Sequence, residues 1–146
     1  MANSFNETAQ IPEIWETKED KRLSIGDLKK KYLDIAKNKF IQNPPVVILN
    51  KENNWHIELS RKVISEWRMK TRTRERILSI QLLDTMIEGA RFLNSIKDNK
   101  NTPGIECVLY LENKCYINGK LFNINITVKK QKSKDRMFAY YYSATE

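Results

Sequence analysis

Apolar residues recur along this chain with two different periods. Between Thr73 and Ile96 the apolar positions are Ile77, Leu78, Ile80, Leu82, Leu83, Met86, Ile87, Ala90, Leu93 and Ile96. Steps of three and four dominate, which is the spacing of one broad helical face. Thr73 suits an N-cap, and the turn formers from Lys97 to Gly104 supply a stop. The pattern predicts a long central helix over 73–96 whose stripe needs a sheet or further helices to cover it.

Helical spacing also links Ile25, Leu28, Tyr32, Ile35, Ala36 and Phe40. Ser24 and Asp27 form a capping-box-like start, and Asn43-Pro44-Pro45 ends the run, because a residue before proline avoids the helical region. Val46 to Leu49 reads as a short buried strand and Asn50 to Asn54 as a turn. Trp55 to Leu59 alternates, with His56 and Glu58 opposite the apolar side, so the two runs predict a hairpin. Ser60 is placed to cap a short helix carrying Val63, Ile64 and Trp67. Residues 1–22 are mostly polar and predict a flexible arm; residues 23–146 predict a single α+β domain.

After Gly104 the period becomes two. Ile105–Leu111, Lys114–Ile117, Lys120–Lys130 and Met137–Ser143 predict an antiparallel meander, with Asn118-Gly119 its strongest turn signal. That turn sets Ile117 opposite Lys120 and Cys115 opposite Phe122. A second turn at Glu112-Asn113 would put Val108, Tyr110, Cys115, Ile117, Phe122, Ile124, Ile126 and Val128 on the face that receives the helix. The other face would carry Leu109, Tyr116, Leu121, Asn123, Asn125, Thr127 and Lys129, the setting for a shallow site.

Charge sharpens the picture. The 146 residues hold 26 Lys and Arg against 18 Asp and Glu, a formal +8. Such an excess favours polyanionic partners, nucleic acid first. It is clustered: Arg68, Lys70, Arg72, Arg74 and Arg76 form one run, and Lys129, Lys130, Lys132, Lys134 and Arg136 a second. No apolar run approaches the roughly 20 residues of a membrane helix, and no secretory signal is visible, so a cytoplasmic protein with no membrane partner is expected. Cys107 and Cys115 have no histidine near them to build a zinc site and are expected as reduced thiols; no metal or cofactor is expected.

Several stretches resemble a known group. These are Val47-Ile48-Leu49-Asn50, the run Trp55 to Lys62, Ile80 with Leu83, Ile87 and Ala90, the hairpins Tyr116–Gly119 and Phe122–Lys129, and the aromatic end Phe138–Tyr142. Together they resemble the barnase–EndoU–colicin–RelE-like nuclease domains, and most closely those embedded in the large polyvalent proteins of phages and mobile elements. The resemblance implies metal-independent RNA cleavage by attack of a ribose 2′-hydroxyl on the adjacent phosphate, as in a small toxin or effector. That chemistry needs a base, an acid and cations for the phosphorane. His56 is the sole histidine and the natural proton carrier near neutral pH. Lys129 is the candidate phosphate holder and Tyr141 the candidate proton donor or stacking ring. Arg68, Lys70, Arg72, Arg74, Arg76, Lys130, Lys132 and Lys134 are the candidate nucleic-acid contacts. Two alternatives stand beside the ribonuclease: a catalytically silent nucleic-acid-binding domain, and a phage or mobile-element interaction protein that inhibits a host system through its basic surface; RNA or other nucleic acid, or an inhibitor or acidic partner protein, is the expected partner.

Overall fold

A computed structural model describes residues 11–97, 103–132 and 136–146. In chain order the elements are β1 (Glu13–Ile14), α1 (Lys18–Lys21), α2 (Ile25–Phe40), β2 (Val47–Asn50), β3 (Trp55–Leu59), α3 (Arg61–Lys70), α4 (Arg74–Ser79), a 3₁₀ turn (Ile80–Leu82), α5 (Leu83–Gly89), β4 (Arg91–Lys97), β5 (Ile105–Ile117), β6 (Lys120–Gln131) and β7 (Met137–Thr145). The class is α+β. The strands form one mixed sheet in the order β1-β5-β6-β7-β3-β2, with β4 added to the same strand β5 that carries β1. Among the described residues only β1 on β5 and β3 on β7 run parallel.

The sheet is apolar on one side. Leu109, Leu111, Cys115 and Ile117 of β5 are buried with Phe122, Ile124, Ile126 and Val128 of β6 and Ala139, Tyr142 and Ala144 of β7. Against them pack Leu28, Tyr32, Ala36 and Phe40 of α2, spaced by three and four, with Ile77, Leu78, Leu83, Met86 and Ile87 of the broken central helix. Trp67 of α3 is the largest buried side chain, and its indole donates to the Arg76 carbonyl at 3.3 Å.

The predicted helix over 73–96 is corrected in two ways. It is interrupted by the 3₁₀ turn, and it ends at Gly89, so Leu93 and Ile96 belong to strand β4. Two asparagines distant in sequence explain the stop. Asn50, fully buried, donates to the carbonyls of Ile87 at 2.9 Å and Ala90 at 2.8 Å, and Asn113 donates to Met86 at 3.0 Å. They satisfy carbonyls that a helix end otherwise leaves open. A Cβ on Gly89 would lie 3.2 Å from that Asn113 amide, a tight contact that the side chain would have to yield to by a few tenths of an ångström.

The predicted turn at Glu112-Asn113 is also corrected, since β5 runs unbroken for 13 residues. Without that turn the parity of residues 105–111 flips. Leu109 and Leu111 therefore face the helices, and Val108 and Tyr110 take the outer side. The register at the Asn118-Gly119 turn is as predicted, Cys115 opposite Phe122 and Ile117 opposite Lys120. Both turn residues have positive φ, 52° and 82°, as this tight hairpin requires. The hairpin β2–β3 is present, but β2 is the sheet edge: Ile48 is buried while Val47 and Leu49 are exposed.

Residues 11–22, expected within a flexible arm, are built into the fold; the rest of that arm lies outside the described residues. Tyr116 donates its backbone N–H to Pro12 and Asn118 to Ile14, while the Glu16 N–H donates to the Asn118 side chain at 2.8 Å. The Trp15 ring lies where a Cβ on Gly119 would meet it at 3.3 Å. In α1 the buried Asp20 accepts from Lys31 and from the Tyr32 hydroxyl. Burial works to raise this carboxyl, but the hydrogen bonds from Lys31 and Tyr32 outweigh it and hold it below the ordinary aspartate value.

Candidate nucleic-acid interface

The helices cover only the apolar side. The opposite face of the sheet carries Tyr110, Thr127, Lys129, Phe138, Tyr140 and Tyr141, all half-buried, with Asn123 exposed. A register shift organises its centre. Thr127 pairs with Tyr141 and Val128 with Ala139, so Tyr140 is an extra residue bulged out of β7. Ala139 and Tyr142 on either side of the bulge both point into the core. Tyr140 and Tyr141, neighbours that strict alternation would separate, therefore share the outer face.

Helix α3 runs beside this bulge. Contact is fixed by Ser60, whose hydroxyl donates to the Ala139 carbonyl at 2.8 Å in place of capping the helix. Lys62, Glu66 and Lys70 recur every four residues and make one row on its flank. The Lys62 ammonium lies 5.6 Å from the Tyr140 ring centroid and that of Lys70 lies 4.5 Å from Tyr141. Lys129 of β6 lies 3.6 Å from Tyr140. Each tyrosine thus has a cation against its ring. Glu66 accepts from both lysines, whose hydrogen bonds hold its carboxyl below the ordinary value, and its carboxylate raises Lys62 in return.

A shallow depression beside Tyr141 is lined by Lys70, Thr71, Arg76 and Ser143. The Arg76 guanidinium makes no ion pair with the described residues. At the other end of the face, a cleft of about 540 Å³ opens between the segment from Ile41 to Pro45, Arg61, Gln131 and Phe138. The Glu58 carboxylate in its floor is bound by Arg136, whose hydrogen bonds hold it below the ordinary value.

The structure divides the expected site residues. Lys70, Arg76, Lys129 and Tyr141 come together. Lys132 is exposed near the end of β6, and Lys130 pairs with Glu106 at 3.3 Å. Lys134 lies outside the described residues. Arg68 is about 200° around α3 from Glu66. It stands with Arg72 near Lys29, whose ammonium is lowered by burial and by these two cations. Arg74 is a structural residue: it donates to Glu16 at 2.8 and 2.5 Å, to Leu23 O at 2.8 Å and to Asp20 O at 2.6 Å. His56 is exposed on the outer side of β3, two strands across and two residues along from Lys129, or about 12 Å. The three catalytic candidates are therefore not gathered at one point.

Lys62 and Tyr140 are the members that sequence reasoning missed. The Lys62-Glu66-Lys70 spacing was a readable signal for the first. The second depends on the bulge, for which the run of three tyrosines was only a hint.

An α+β domain with an open, basic and aromatic sheet face is the class that these features define. The chain belongs to the family described as large polyvalent protein-associated domain 3, whose model matches residues 24–141. No curated protein and no solved structure matches it at a significant level. Among the described residues no helix is long and apolar enough to cross a membrane.

Proposed function

We propose that this domain binds single-stranded RNA across the open face of its sheet. The observation that carries the reading is the β7 bulge, which sets Tyr140 and Tyr141 side by side with Lys129, Lys62 and Lys70 against their rings. Aromatic side chains on an exposed antiparallel sheet stack unpaired bases, and flanking cations take the phosphates. The face is laid out for a splayed strand. Binding of labelled oligoribonucleotides, measured by fluorescence anisotropy at several salt concentrations, tests this. Tyr140→Ala and Tyr141→Ala should each weaken binding by about 1–3 kcal/mol, the usual worth of one stacked base. Duplex RNA should bind more weakly than the single strand. Equal affinity of both variants and the parent would overturn the reading. Binding of an acidic protein would depend on the lysines without needing both rings.

A second reading, metal-independent cleavage by 2′-hydroxyl attack, is favoured by one further feature: His56 shares this face with the lysines and phenols. In that reaction the 2′-hydroxyl gives its proton to a base as its oxygen bonds to phosphorus, and the P–O5′ bond breaks as the 5′-oxygen takes a proton from an acid, giving a cyclic phosphate and a 5′-hydroxyl. Lys129 and Lys62 would bear the phosphorane charge, and His56, about 12 Å across the face from Lys129, would have to swing toward the bound phosphate to carry a proton. Total RNA incubated in chelator is the assay. His56→Ala should lower cleavage by roughly 10²- to 10⁴-fold. Intact RNA with the parent protein removes this reading and leaves the binding one.

A further inference from the structure

We infer that the cleft at the β3 end of the face is a pocket for one nucleoside monophosphate unit, its base on Phe138 and its phosphate on Arg61. The inference rests on the RNA reading and extends it from a flat surface to an enclosing subsite.

Size is the first argument. At about 540 Å³ the cleft lies within the roughly 300–1,000 Å³ of small-ligand sites, whereas the depression beside Tyr141 encloses only about 10 Å³. Bases over the tyrosines would lie on the surface, while a base in the cleft would be held on several sides.

Position is the second. Phe138 is paired directly with Lys129 and lies two residues before Tyr140 on the same side of β7. At about 3.3 Å per residue the pocket begins some 7 Å from Tyr140. A strand following β7 from Tyr141 past Tyr140 therefore meets Phe138 next, and the segment from Ile41 to Pro45 walls the cleft there.

Chemistry is the third. Arg61 is exposed, and its guanidinium makes no ion pair with the described residues; Arg136 is held by Glu58. Two arginines against one carboxylate leave one net positive charge on the lining, matched to a phosphate. The side-chain amides of Asn43 and Gln131 make no hydrogen bond with the described residues and are available to a base edge. A few polar groups around an apolar platform is the usual make-up of a small-ligand site.

The test uses the full chain with adenosine, its 5′- and 3′-monophosphates and a short oligoribonucleotide, by calorimetry and by competition against labelled RNA. Both monophosphates should compete, and adenosine should compete less well. Phe138→Leu should weaken monophosphate and oligonucleotide binding by at least about 5-fold, the low end for a lost stacking contact. Arg61→Ala should weaken the monophosphates but leave adenosine unchanged, and should reduce the log–log salt slope for the oligonucleotide by about 1. Because Arg61 is exposed, its variant keeps the test open even if Phe138→Leu lowers stability. Oligonucleotide binding that responds to Tyr140→Ala but to neither cleft variant would overturn the pocket and leave the face intact. No binding of any RNA would remove both.

Discussion

Arg74 and Arg76 are two residues apart, identical in type and opposite in expected role, so substituting each to alanine makes a strong contrast. Arg74 is about a quarter exposed, while the Glu16 carboxylate it holds is 6% exposed. Removing the guanidinium leaves that carboxylate unpaired and strips the Asp20 and Leu23 carbonyls of their donor. Breaking a buried pair from one side costs about 3–5 kcal/mol, and the partial exposure of Arg74 puts this one near 3 kcal/mol. At roughly 2–4 °C per kcal/mol for a domain of this size, Arg74→Ala should lower the melting temperature by about 6–12 °C. Arg76 has no ion pair with the described residues to lose, and its alanine variant should stay within about 1 kcal/mol of the parent. RNA binding should show the reverse order. Arg76→Ala should reduce the log–log salt slope by about 1, one lost phosphate contact, and Arg74→Ala should leave the slope unchanged below its melting range. Thermal unfolding by circular dichroism and salt-dependent anisotropy on the same samples read both quantities. Equal melting temperatures for the two variants would refute the structural role of Arg74. An unchanged slope for Arg76→Ala would refute its place on the RNA path.

Other outcomes follow from the buried polar groups. Asn50→Ala removes the amide that donates to the carbonyls of Ile87 and Ala90 at the end of α5 and should cost about 2–3 kcal/mol in chemical denaturation, with β4 losing amide protection first. Asp20 titrates below the ordinary aspartate value in the fold, so its contribution is complete above about pH 4 and is lost as the pH falls through the folded value. Asp20→Asn should therefore destabilise the protein at neutral pH and flatten the acid limb of its stability curve, which urea titrations at stepped pH would reveal. Burial pushes the Cys115 thiol up to about 11, so in the folded protein it should resist alkylation at pH 8 while Cys107, partly exposed, reacts first. Mass spectrometry of iodoacetamide-treated protein checks the order.

Legibility followed the range of the interactions. The Asn118-Gly119 hairpin and helix α2 are set by neighbours in sequence, through positive-φ turn residues and a serine cap, and both were readable. The end of the central helix is set by Asn50 and Asn113, which lie 37 and 27 residues from the carbonyls of Ile87 and Met86. Leu93 and Ile96 happen to continue the helical spacing, so nothing local marked the change to a strand. Glu112 and Asn113 looked like a turn because both are polar. In the fold one pairs with Arg91 and the other reaches α5. The site divided in the same way. Clustering of positive charge was visible, but which arginine is consumed by a buried partner depends on Glu16, 58 residues away.

The bulge at Tyr140 also changes how the end of the chain answers to substitution. Up to Ala139 the odd-numbered positions of β7 are core, and from Tyr142 the even-numbered ones are. A saturation scan along β7 should therefore show two-residue periodicity that slips phase once, with tolerance at both 140 and 141. Deleting a single residue there would remove the slip. With one of the two tyrosines removed, Ala139 and Tyr142 would stand two residues apart, so Tyr142 and Ala144 would keep their core face and their β6 partners, and a single ring would remain on the outer side. The extra residue is thus one that the ladder does not need, and deleting Tyr140 or Tyr141 should spare the core while removing one ring from the outer face.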